Sequence, residues 1–182
     1  MIAPAPLPNR WWRAGAWGAA AALLIAAAIA RQTVPGFNWT AADFIGVGTV
    51  LGLACLAWEI AMRRAASDAY RAAAALTIAG TLGLAWINLA VGIIGSEDNP
   101  ANLVFFAVPA IGGSGAILTR LNPAGMARTL AIMALVQAAI AAGNVVFALV
   151  PAAVLGGFFA GLWAIAATLF RKAAGELRQR TA

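Results

Sequence analysis

"TLAIMALVQAAIAAGNVVFALVPAAVLGGFFAGLWAIAATLF", residues 129–170, runs for 42 residues without a charged side chain. As one helix it would be about 63 Å long, roughly twice the hydrocarbon thickness of a bilayer. It must therefore fold back on itself, and Gly143-Asn144 with Pro151 mark the bend. Two spans result, 127–146 and 151–170. Four more apolar runs precede them, at 14–30, 41–62, 71–94 and 102–119. About 20 helical residues cross a bilayer, so each run is a membrane-span candidate.

The composition agrees. Hydrophobic residues make up 63% of the 182-residue chain and charged residues 10%. Water cannot solvate such a surface, whereas lipid can. Period-2 alternation, the mark of a membrane β-barrel strand, is absent. The expected fold is all-α: a polytopic transmembrane helical bundle of about six spans. A basic, aromatic N-terminal segment (1–13) precedes the membrane domain (14–170), and a basic tail (171–182) follows it.

The net charge of +6 orients the bundle. Arg10 and Arg13 precede span 1, and Arg63, Arg64 and Arg71 lie between spans 2 and 3. Arg120 and Arg128 separate spans 4 and 5, and Arg171, Lys172, Arg178 and Arg180 follow span 6. Eleven of the 12 basic residues thus fall on one side, with Arg31 alone opposite. The positive-inside rule puts both termini in the cytoplasm. The charge is a topology signal, and nothing beyond it points to nucleic acid. Trp11, Trp12, Trp39 and Trp58 sit near span ends, where an indole suits the headgroup zone; Trp86 lies deeper. Ala28-Ile29-Ala30 has the A-x-A form of a signal-peptide cleavage site. The 17-residue apolar run before Arg31 exceeds the usual h-region, which favours a retained span.

Missing residues narrow the chemistry. The chain has no histidine, and Cys55 is its only cysteine. His-ligated haem, His-containing zinc sites, Ser–His or Cys–His nucleophiles, an intrachain disulfide and a cysteine-held iron–sulfur site are excluded. No catalytic constellation and no cofactor are expected. "GGSG" (Gly112 to Gly115) resembles the nucleophile motif of rhomboid intramembrane proteases over four residues. Without a histidine to take the serine proton, that reading is rejected.

Other motifs have structural readings first. Gly48-x-x-x-Gly52 and Gly157-x-x-x-Gly161 have the spacing of close helix contacts, within or between subunits. Thr77, Thr81 and Asn88 share one face of span 3. Thr129, Met133, Gln137 and Asn144 share one face of span 5. Interhelical hydrogen bonding explains both stripes; a polar path lined by the two faces is the sharper alternative. Glu59, an acid near the cytoplasmic end of span 2, stands one turn before Arg63, as in an i,i+4 ion pair. Pro109 suggests a kink in span 4.

"IIGSEDNPANLVFF", residues 93–106, gathers the most polar groups. Asn99-Pro100 has the form of a helix start, repeated at Asn122-Pro123, and Gly95 suits the end of span 3. Glu97 and Asp98 favour the positive end of the following helix. Glu97, Asp98, Asn99 and Asn102 are also weak candidates for a hard-cation site, since all offer oxygen.

"WINLAVGIIGSEDNPANLVFF", with the "NWT..DF" of Asn38 to Phe44, resembles a stretch in a set of small multi-pass bacterial inner-membrane proteins. The likeness runs from about residue 37 to 120. It implies a bacterial inner membrane and carries no activity. The expected role is a non-catalytic accessory, assembly or homo-oligomeric bundle. Its partners would be the lipid bilayer and another membrane protein or a second copy. The alternative is a small channel or transporter with an acidic outer mouth. The closing "RKAAGELRQR" reads as a stop-transfer anchor or as a basic helical extension that meets anionic lipid or a partner.

Overall fold

The computed structural model describes residues 11–181. Residues 1–10 and 182 lie outside the described residues, and with them Arg10 and most of the N-terminal segment. Six α-helices follow in order: α1 (Trp11–Thr33), α2 (Ala41–Arg64), α3 (Asp68–Ala90), α4 (Ala107–Leu118), α5 (Pro123–Val146) and α6 (Val150–Thr181). A 3-10 helix, Pro100–Phe106, leads into α4, and no strand occurs among the described residues. Six helical stretches are long and apolar enough to cross a membrane, the fourth being Pro100–Leu118. Large apolar side chains such as Ile45, Leu53, Ile117, Leu135 and Val146 are exposed on them. Only lipid solvates such surfaces without penalty. The chain is a multi-pass membrane protein.

Two compact units divide it, Met1–Glu59 and Ile60–Ala182. In the first, α1 and α2 run antiparallel. The ring of Trp12 meets Trp58 edge-on at 6.3 Å. Cys55 Sγ approaches the Ala16 carbonyl at 3.5 Å. Farther along, the Leu24 side chain reaches the space beside Gly48. Glu59 pairs with Arg13 at 2.7 Å, so its acid reaches across to α1, a partner that i,i+4 spacing cannot reveal. Helix α2 opens with a reciprocal cap. Thr40 N donates to Asp43 Oδ2 at 2.7 Å, and Asp43 N donates to Thr40 Oγ1 at 3.3 Å. Two otherwise orphaned donors are satisfied in this way.

In the second unit α6 packs against both α3 and α5, and α4 packs against α5. The core combines aromatic side chains of α6 with glycines opposite them. Phe159, Trp163 and Phe170 are buried. A Cβ at Gly80 of α3 would fall 2.6 Å from Leu162 and 2.9 Å from Trp163, so only glycine lets these helices approach. Between α5 and α6, a Cβ at Gly156 would lie 2.9 Å from that of Ala141. Close backbone approach raises dispersion contact, which holds helices together where lipid supplies no hydrophobic drive.

Several span boundaries differ from the sequence reading, and α3 and α5 already begin at Asp68 and Pro123 rather than at 71 and 127. The turn after α5 does fall at 147–149, with Ala148 at φ 58° and Leu149 N bonded to the Asn144 carbonyl at 2.8 Å. Helix α3 stops at Ala90 rather than 94, because Gly92 (φ 76°) already takes the left-handed position expected of Gly95. A Cβ on Gly92 would collide with the Ser96 backbone. Span 4 is not one α-helix, and Pro109 makes no kink in its interior. It stands in the first turn of α4, where a missing N–H costs nothing. Helix α6 continues through the basic tail to Thr181, 32 residues in all.

Candidate functional site

The polar residues of the second unit fall into three places: the 91–106 segment at one end, the α5 stripe in the interior, and the basic segments at the other end.

Asn102 organises the first. Its Oδ1 accepts from Ile93 N at 3.0 Å and Ile94 N at 2.8 Å. Its Nδ2 donates to the Ser96 carbonyl at 2.7 Å and to that of Ile94 at 3.4 Å. The backbone carbonyl of Asn102 accepts from Asn88 Nδ2 at 3.0 Å. One buried amide thus replaces the strand or helix partners that an irregular loop lacks. Asn99 Oδ1 accepts from Ala101 N at 3.0 Å, capping the 3-10 helix. Glu97 and Asp98 are exposed beside this network. The four residues that offer oxygen in this stretch, Glu97, Asp98, Asn99 and Asn102, therefore divide. Asn99 and Asn102 direct theirs at backbone N–H groups, and the two acids face outward. Among the described residues, no group of three or more His, Cys, Asp or Glu comes together.

The α5 stripe turns inward. Thr129, Met133, Gln137 and Asn144 are all buried, Gln137 completely. Thr129 returns its hydroxyl to the Gly125 carbonyl at 3.2 Å. Both amide atoms of Gln137 and Nδ2 of Asn144 are buried with no hydrogen-bond partner among the described residues. Trp163 Nε1 on α6 and Asn88 Oδ1 share that condition. Such groups carry a desolvation cost of about 1–3 kcal/mol each. The α3 stripe is different. Thr77 and Thr81 are half-buried, Thr77 bonds its own Ala73 carbonyl at 2.8 Å, and Asn88 bonds Asn102. The α3 stripe thus bonds its own helix and Asn102, while on α5 Thr129 bonds its own helix and Gln137 finds no partner among the described residues. Among the described residues, the interior of this unit offers neutral amide and indole groups and no acid–base pair. It can bind dipoles, and it cannot relay protons through carboxylates.

The basic end is held by carbonyls. Arg64 donates to the Arg120 carbonyl at 3.2 Å, Tyr70 Oη–H to that of Leu121 at 3.0 Å, and Arg180 to that of Ala66 at 2.9 Å. The segments around 64–70, 120–128 and 171–180 therefore gather at one end of this unit, as their charges suggested. Arg120 and Leu121 are left-handed (φ 50° and 61°) without being glycine. Residues held so cost about 1–3 kcal/mol each and persist where their surroundings fix them. Here the two carbonyls so displayed are the ones that Arg64 and Tyr70 grip.

Sequence reasoning missed Tyr70, Trp163 and the Thr40–Asp43 cap. Trp163 carried one usable signal, an indole in mid-span far from either headgroup zone. Thr40-x-x-Asp43 was legible as a cap by spacing alone. No protein-family model matches the chain, and no curated protein or solved structure matches it.

Proposed function

We propose that this protein is a non-catalytic membrane bundle that acts through helix–helix contact with another membrane protein or a second copy of itself. The bilayer in question is a bacterial inner membrane, with both termini on its cytoplasmic side. One observation carries the reading. The glycines at Gly80, Gly115, Gly125 and Gly156 are filled against neighbours within the chain, whereas Gly157 and Gly161 meet nothing within 4 Å. They lie a turn apart on an exposed face of α6 beside Val154, Phe158 and Ile165. A glycine in mid-helix costs about 1 kcal/mol against alanine, and close approach of a partner backbone is what repays it.

The test is crosslinking in native membranes. Gly157→Cys on a Cys55→Ala background, carrying a thiol-attached photocrosslinker, should give one adduct of defined mass on illumination. Gly157→Leu with Gly161→Leu should abolish co-purification of that partner. A chain that stays uncrosslinked and carries solute into liposomes overturns the reading.

A second reading, a channel or transporter, draws support from the buried, unpartnered amides of Gln137 and Asn144. Gln137→Leu separates the two. In a packing bundle it raises stability by about 1–2 kcal/mol, because an unsatisfied amide is removed. In a transporter it abolishes flux.

A further inference from the structure

Where α5 begins and α6 ends, the helices carry alanine and glycine on their facing sides. Ala127 and Ala174 are buried there, and an ideal Cβ on Gly175 would meet nothing within 4 Å. These short side chains leave a cleft of about 520 Å³, lined also by Arg128, Arg171 and Arg178. On α6 the positions 171, 174, 175 and 178 follow i, i+3, i+4, i+7 spacing and so form one face. Among the described residues, no acidic side chain lines the cleft. The positive end of the α5 dipole adds to the potential.

The depth of the cleft matters as much as its charge. Arg171 stands 21 residues beyond Val150, the start of α6. Arg128 stands 18 residues before Val146, the end of α5. At 1.5 Å per residue these intervals are about 31 Å and 27 Å, close to the hydrocarbon thickness. Both arginines therefore lie level with lipid headgroups. Guanidinium forks match phosphate oxygens in geometry, and an apolar floor suits a glycerol backbone and the start of its acyl chains.

We infer that the cleft formed by Arg128, Arg171 and Arg178 holds the phosphate of an anionic glycerophospholipid. This stands apart from the partner reading, since it concerns neither Gly157 nor Gly161. A lipid held there bridges α5 to the far end of α6.

The test uses the full chain in nonionic detergent. Native mass spectrometry reads retention of phosphatidylglycerol against phosphatidylcholine, with inorganic phosphate as competitor. The wild type should retain one phosphatidylglycerol in preference to phosphatidylcholine. Arg128→Gln with Arg171→Gln should cut that retention about tenfold or more. Gly175→Leu, which fills the cleft and leaves the charge unchanged, should do the same. Lys172→Gln, outside the cleft, should retain lipid as the wild type does. Equal retention of both lipids overturns the inference, as does equal loss in Lys172→Gln, which would indicate diffuse charge. Displacement of the lipid by inorganic phosphate overturns the lipid as occupant, and unchanged retention in Gly175→Leu overturns the site.

Discussion

The two ends of the second unit both start a helix at Asn-Pro, with different results. At Asn122-Pro123 the asparagine caps two donors, Ala124 N at 3.0 Å and Gly125 N at 3.3 Å, and 24 residues of α5 follow. At Asn99-Pro100 it caps only Ala101 N, and seven residues of 3-10 helix intervene before α4. The cause lies downstream of the dipeptide. Asn88 occupies the carbonyl of Asn102, and Pro109 has no N–H to offer the carbonyl of Phe105 in an α-helical ladder. One dipeptide announces a helix start at both ends; what kind of helix follows depends on contacts made later in the chain.

The sharpest way to break the comparison is at Asn102. Asn102→Ala strands the Ile93 and Ile94 N–H groups, at about 1–3 kcal/mol each, for a total near 4 kcal/mol. Denaturant titration in mixed micelles measures it, and a loss below 1 kcal/mol would show that the loop holds itself. Next come the two caps. Asn122→Ala should cost about 1–2 kcal/mol and Asn99→Ala about half of that, because one secures two donors and the other one. Equal losses would dissolve the contrast drawn above. At the basic end, Tyr70→Phe removes the bond to Leu121 and should cost about 0.5–1.5 kcal/mol, read as a fall in thermal midpoint. The smallest effect belongs to the acids. Glu97→Gln with Asp98→Asn should change stability by less than about 0.5 kcal/mol, since both are exposed. Millimolar calcium should leave the thermal midpoint of the wild type unmoved; a rise of several degrees would restore a cation site there.

The helices were legible because hydrocarbon imposes a length and excludes charge, so residues 129–170 had to fold back and did so within a few residues of Pro151. The gathering of basic segments at one end of the second unit was legible from loop charge. What the sequence concealed was direction. Asn102 read as an oxygen donor to a cation, because composition shows that an amide is present and not which N–H it faces. Glu59 read as a local pair, and its contact with Arg13 stayed hidden because most of two helices separate them in sequence. The α5 stripe was visible as a face, yet nothing in its spacing distinguishes an amide that finds a partner from one, like Gln137, that finds none.

The left-handed turn at Arg120-Leu121 has a further consequence for the order in which the protein is made. Its two clamps, Arg64 and Tyr70, lie 56 and 51 residues upstream of the carbonyls they grip. A chain synthesised from its N-terminus has both clamps in place before the turn exists. The strained link between α4 and α5 thus meets clamps made before it, while Arg180, which grips the Ala66 carbonyl, and Phe170, which packs on Tyr70, are made after it and close this end last.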